Sequence, residues 1–231
     1  MRSYRASLAA SAATAALLAG MGGAAAEPAP IYNWTGFYIG ANAGYGWGEA
    51  NNDRAGKFKD SGTQFGLHGG YNHQFGGIVV GFEADAAISN IDAGSDPFFE
   101  GKASLRLKAK QDWAGSLRLR AGLPFSAAPL FDNVMIYGTG GAAISRWNVR
   151  LDESFIVGDS EKRSKTYFGW TAGLGIEAKF NSSVSIRTEY LHADYGSETY
   201  SLLGEAIRVK FRTDTVRLGL TWHFPTPAPP P

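Results

Sequence analysis

The sequence predicts an all-β protein, an eight-stranded antiparallel up-and-down transmembrane β-barrel. Three observations carry this: eight segments sort their side chains by parity, the connections between them alternate in length, and aromatic residues gather near both ends of the apolar faces. The 231 residues include 30 glycines and no cysteine, and 13% are aromatic. Mean hydropathy is -0.17. These values exclude a disulfide scaffold and a helical membrane protein.

Residues 1–26 read as a secretory signal peptide. Arg2 and Arg5 make a basic start, Leu8 to Gly20 an apolar stretch, and Ala24, Ala25 and Ala26 a small-residue cleavage site. Removing those two arginines from the 22 Lys and Arg leaves 20 against 21 Asp and Glu, so the mature chain is near -1. Nothing in that balance favours nucleic acid as a partner. No second apolar run is long enough for a helical span.

The first strand is expected over 34–48. Phe37, Ile39, Ala41, Ala43, Tyr45 and Trp47 fall on one face, and Tyr38, Asn42 and glycines on the other. A segment over 64–75 sets Phe65, Leu67, Tyr71 and Phe75 against Gln64, His68 and Asn72. Residues 78–88 set Ile78, Val80, Phe82 and Ile88 against Glu83 and Asp85, and 112–123 set Trp113, Leu117, Leu119 and Leu123 against Ser116, Arg118 and Arg120. The next segments are 134–147, 167–180 and 184–195, whose polar faces carry Tyr137, Glu177, Lys179, Arg187 and Glu189. The last ends on Val216, Leu218, Leu220, Trp222 and Phe224, opposite Arg217 and His223. Eight is an even number, as a closed up-and-down barrel requires.

Gly76-Gly77 and Asn181 to Ser183 are tight turns, and 124–133 is a longer link broken by Pro124 and Pro129. Long polar stretches over 49–63, 89–111, 148–166 and 196–214 alternate with them. Barrels of the bacterial outer membrane have short periplasmic turns and longer outer loops, so both termini are expected in the periplasm. A membrane-interface aromatic belt should then comprise Trp34, Phe37, Trp222 and Phe224 on the periplasmic side, with Tyr45, Trp47, Trp113, Trp147 and Phe168 on the outer side.

Eight strands enclose an interior that side chains just fill. The inward charges Glu83, Asp85, Arg118, Arg120, Glu177, Lys179, Arg187, Glu189 and Arg217 are therefore expected to pair as a polar plug, because an isolated ion out of water costs several kcal/mol. A narrow gated pore, opened by breaking those pairs, is the alternative. Inward glycines should make room for long partners such as Arg118 and Tyr38.

Catalytic and cofactor motifs are absent. Gly138 to Ala143 and Gly173 to Ala178 match G-x-G-x-x-A, yet neither joins a strand to a helix. His68, His73, His192 and His223 have no metal-ligand spacing, so no metal, cofactor or enzymatic activity is expected. A surface binding role, for haem or a host ligand, has only His192, Tyr195 and Tyr200 to offer. The basic stretches 54–59, 102–110 and 161–165 are candidates for contact with outer-membrane lipids and lipopolysaccharide phosphates.

Arg217-Leu-Gly219-Leu-Thr-Trp222-His-Phe224 resembles the signal read by the barrel-assembly machinery during insertion. With NWTGFYIGANAGYGWG, GFEADAAIS, GSLRLRAGL, IYGTGGAAIS, GWTAGLGIEAKF and VSIRTEYLHADYG, residues 33–224 resemble the RopB-like family of small outer-membrane surface proteins of alpha-proteobacteria, within the wider OmpA-like eight-stranded barrels. The resemblance implies a surface-exposed envelope protein, loosely called a porin, with no catalytic motif to carry over. The chain departs from that pattern in its tail, PTPAPPP over 225–231, expected as a polyproline II spur in the periplasm.

Overall fold

The computed structural model describes residues 33–52, 56–94, 98–100, 103–127, 131–153, 162–202 and 205–224. The expected signal peptide and proline-rich tail lie outside them. Among the described residues ten strand segments occur in chain order: β1 Gly36–Asn52, β2 Gly56–Phe75, β3 Ile78–Ser89, β4 Asp92–Gly94, β5 Phe98–Glu100, β6 Ala103–Ala127, β7 Phe131–Glu153, β8 Lys162–Lys179, β9 Val184–Leu202 and β10 Glu205–His223.

Eight of these close a barrel in the order β3-β2-β1-β10-β9-β8-β7-β6, with β3 pairing β6 to complete the ring. Every pairing is antiparallel, including β1 with β10, where Tyr38 faces His223 and Ala43 faces Leu218. The three-residue β4 and β5 only extend the ladder of β6. Closure leaves no unpaired barrel edge, which a backbone surrounded by lipid demands.

Between β2 and β3, Gly76 has φ 57°, a conformation suited to glycine in a two-residue hairpin turn. Asn181 caps the β8–β9 turn, its Oδ1 accepting from the backbone N–H groups of Ser183 and Val184 at 2.8 and 2.9 Å. These turns and both described chain ends share one rim, called here the turn rim. The opposite end is the hairpin rim.

At the hairpin rim the strands run further than their alternation indicates. β1 and β2 stay paired to Asn52 and Gly56, and β9 and β10 to Leu202 and Glu205. Most of each expected loop is therefore paired ribbon. Its sequence hides this because neither face meets oil there, so no apolar period marks it. Two β-bulges lie near this rim: Asp112 is the extra residue of β6 against β7, and Tyr195 and Gly196 of β9 together oppose Phe211 of β10.

The partition of side chains is inverted relative to a soluble fold. Phe37, Ile39, Leu67, Leu119, Phe168, Leu174 and Leu218 are exposed on the wall, while arginines, glutamates and glutamines are buried inside. Of the expected interface residues, Phe37, Tyr45, Trp47, Phe168, Trp222 and Phe224 lie on the outer surface, and Trp113 is half-buried there. Trp34 and Trp147 do not; each is only 1% exposed, inside the barrel. Trp147 is three residues from outward Ile144, and an odd separation along a strand reverses the face. Trp34 precedes the strand, and the chain turns inward at Gly36.

Candidate functional site

The interior is built by all eight barrel strands. Beginning with Glu83 on β3, its Oε1 accepts from Arg118 of β6 and, at 3.2 Å, from Arg187 Nη2 of β9. Its Oε2 accepts from Arg187 Nη1 and from the Tyr38 hydroxyl of β1 at 2.9 Å. Glu189 occupies the other wall. Its Oε1 accepts from Arg118 Nη1 and the Tyr137 hydroxyl, each at 3.1 Å, and its Oε2 from Arg217 Nη2 at 2.5 Å.

Asp85 joins the set through Arg217 at 2.9 Å, Arg118 at 3.1 Å and the Ser116 hydroxyl. Glu177 accepts from Arg120 Nη2 at 2.8 Å and Ser185 at 2.6 Å, with His223 Nε2 at 3.2 Å. Four carboxylates thus meet four guanidinium groups, and the network is neutral. Each arginine fork reaches at least two acceptor atoms, a geometry that a lysine cannot reproduce. Pairing of this density is what offsets the loss of water around buried ions.

Lys179 takes a different place from the one expected of it. Its Nζ donates to the Asn33 carbonyl at 3.0 Å and lies 4.6 Å from the centre of the Trp34 ring. It closes the turn rim instead of joining the central network.

Aromatic and glycine residues shape the space. Arg120 lies between the rings of Tyr137, 3.9 Å away, and Tyr38, 5.5 Å away. A Cβ at Gly175 would stand 2.3 Å from the Tyr137 ring, and one at Gly70 would stand 2.6 Å from the Tyr38 hydroxyl. These two glycines give the tyrosines their room. On the near side of β2, His68 bridges Asn42 at 3.2 Å and Thr221 at 2.9 Å.

Towards the hairpin rim the chemistry changes twice. Gln111 accepts from Gln64 at 3.0 Å and Ser89 at 2.8 Å and donates to Ser145 at 2.8 Å, forming a neutral polar layer. Beyond it Phe211 packs on Trp147 and Tyr167, with ring centres 5.3 and 4.9 Å apart, and Ile91 is fully buried. The sequence does not mark this aromatic cap, because Phe211 and Ile91 both fall in the long polar stretches 196–214 and 89–111, where no apolar alternation declares a strand.

The ligand cluster His192, Tyr195 and Tyr200 is not assembled. His192 faces outward, bonded to Asp214 at 2.8 Å and beside Trp170, whereas Tyr195 is buried in the interior. Three residues apart on β9, they take opposite faces. The Tyr200 side chain lies outside the described residues.

A closed antiparallel barrel with an apolar outer band, exterior aromatics and a charged interior is an integral membrane barrel of the bacterial outer membrane. The chain matches the outer membrane protein beta-barrel domain family over residues 13–224, and it belongs to that family. It is 35% identical over 198 residues to the 25 kDa outer-membrane immunogenic protein of Brucella abortus biovar 1 (strain 9-941), covering 86% of this chain and 83% of that one. To the 22 kDa outer membrane protein of Rhizobium leguminosarum bv. viciae it is 32% identical over 199 residues, covering 84% and 80%. Among solved structures it is similar to Neisserial surface protein A, with TM-score 0.41 and 16% identity over 82% of this chain and 98% of that one.

Proposed function

We propose that this protein, within the RopB-like branch of its family, serves the envelope as a structural and surface barrel whose lumen is plugged. The observation that supports this is the interior network: Arg118–Glu189, Arg187–Glu83 and Arg217–Asp85 cross the lumen, Arg118–Glu83 and Arg217–Glu189 join neighbouring strands, and all six side chains are at most 7% exposed. An eight-stranded barrel has no spare section beside such a layer. Ion or solute passage would require several buried pairs to separate together.

In this reading the short turns and both termini lie in the periplasm, and the long paired hairpins stand outside the cell. The contact it makes there is with lipid and lipopolysaccharide, whose phosphates suit the cationic stretches 54–59, 102–110 and 161–165. The barrel-assembly machinery is its partner during insertion, through the terminal segment Arg217 to Phe224.

Solute efflux from proteoliposomes tests the plug. Vesicles holding refolded protein should retain a small sugar as well as empty vesicles do, while barrel integrity is followed by heat-modifiable gel migration. Efflux that scales with the amount of folded protein would favour the gated pore instead.

A further inference from the structure

The first described residues do not continue the barrel wall. Before β1 the chain bends at Gly36, where φ is 139°, a conformation that residues with a Cβ rarely adopt. The bend carries Trp34 out of the wall and into the mouth of the barrel, where it joins a buried cluster with Val79, Met135 and Tyr137.

Three sets of contacts hold it there. The Trp34 backbone N–H donates to Gln74 Oε1 at 2.9 Å, and the Gln74 N–H donates in return to Thr35 Oγ1 at 3.0 Å. Lys179 reaches from the far side of the rim, donating to the Asn33 carbonyl at 3.0 Å with its ammonium over the indole. His223 meets the indole edge-on, with ring centres 5.7 Å apart. The segment also has its own local turn, Thr35 N–H to Asn33 Oδ1 at 2.8 Å.

No ion pair of the network includes an atom of residues 33–36, although Trp34 packs beside Tyr137 and His223, which bond Glu189 and Glu177. Glu83, Arg118, Glu189 and Arg217 bond one another without help from residues 33–36. The segment is tied to the barrel by few bonds, all near the rim, through one permissive glycine. We propose that residues 33–36 form a hinged latch that closes the periplasmic mouth of the lumen, with Trp34 as the stopper, Gly36 as the hinge and Lys179 as the clasp. The latch is distinct from the plug: opening it would wet the vestibule around Val79 and leave the deeper ion pairs intact.

The chain has no cysteine, so one introduced thiol reports without background. Val79→Cys places it against Trp34 at a fully buried position with no side-chain hydrogen bond to lose. The experiment measures the rate of modification by a charged, water-soluble methanethiosulfonate on refolded protein in micelles. Each variant is first shown to be folded by its heat-modifiable migration.

With Trp34, Gly36 and Lys179 intact, labelling should be slow. Lys179→Gln and, separately, Gly36→Ala should each raise the rate about tenfold or more with Trp34 still present, whereas Phe180→Ala, on the exposed wall at the same rim, should not. Solute efflux should stay at background in all of them, which separates the latch from the plug. Two results would overturn the latch: rapid labelling of Val79→Cys in the otherwise unaltered chain, or acceleration by Trp34→Ala alone with the hinge and clasp variants unchanged, which would make Trp34 a fixed plug.

Discussion

Arg118 on β6 and Glu189 on β9 meet across the lumen, Nη1 to Oε1 at 3.1 Å, though 71 residues separate them in sequence. The same guanidinium also binds Glu83 and Asp85 on the neighbouring strand. One arginine therefore ties three carboxylates on two walls. Its removal leaves buried negative charge without compensation.

Arg118→Met should accordingly destabilise the barrel by about 3–5 kcal/mol, the range for breaking a buried pair from one side. The urea midpoint of the folded band on unheated gels measures it. Glu189→Gln in the same chain should return part of the loss, giving a coupling energy of about 0.5–3 kcal/mol.

Tyr137 and Gly175 make a second test, of packing. Gly175→Ala places a methyl group within 2.3 Å of the Tyr137 ring, so the ring must leave its stack on Arg120. A cost of about 1–3 kcal/mol is expected, as for other overpacked interiors. Tyr137→Leu should relieve the clash, so that the double variant refolds better than Gly175→Ala alone.

The two faces of β6 can be told apart by charge. Leu119 is 72% exposed on the wall, and its neighbour Arg120 is buried inside. Leu119→Arg should cost about 2–4 kcal/mol in a bilayer, the penalty for an arginine on the lipid face near the midplane. A smaller loss in lipid than in detergent would place Leu119 away from hydrocarbon.

Trp147 and Trp222 should differ although both are tryptophans near a barrel end. Trp147 is buried against Phe211, whereas Trp222 is half-exposed on the wall. Trp147→Ala removes part of a packed cap and should cost about 3–5 kcal/mol. Trp222→Ala should cost less, as seen by comparing their urea midpoints.

Much of this architecture was legible in the parity of the side chains. Between two different media, alternation is forced, so Phe37 to Trp47 and Val216 to Phe224 declared both faces of their strands. The inward charges could be named for the same reason, and the glycines opposite Tyr38 marked where a ring needed space. What escaped lay where that forcing ends. Above the membrane both faces are polar, and β1, β6 and β9 continue there as strands without an apolar period.

Bulges account for the rest. At Asp112 on β6, and at Tyr195 and Gly196 of β9 opposite Phe211, one extra residue shifts the phase, so counting by twos across it mislocates the next side chain. Trp34 departs from the expected belt for another reason. Its position depends on a bend at Gly36 that no period records, and only the geometry shows an indole inside the barrel mouth rather than on the wall.

The proposed plug is tested most directly by single-channel recording in planar bilayers. The refolded wild-type chain should give no conductance steps above background, while Arg118→Ala with Arg120→Ala, which removes two of the four guanidinium groups, should admit small ionic currents. Sizeable, stable steps from the wild-type chain would contradict the plugged lumen.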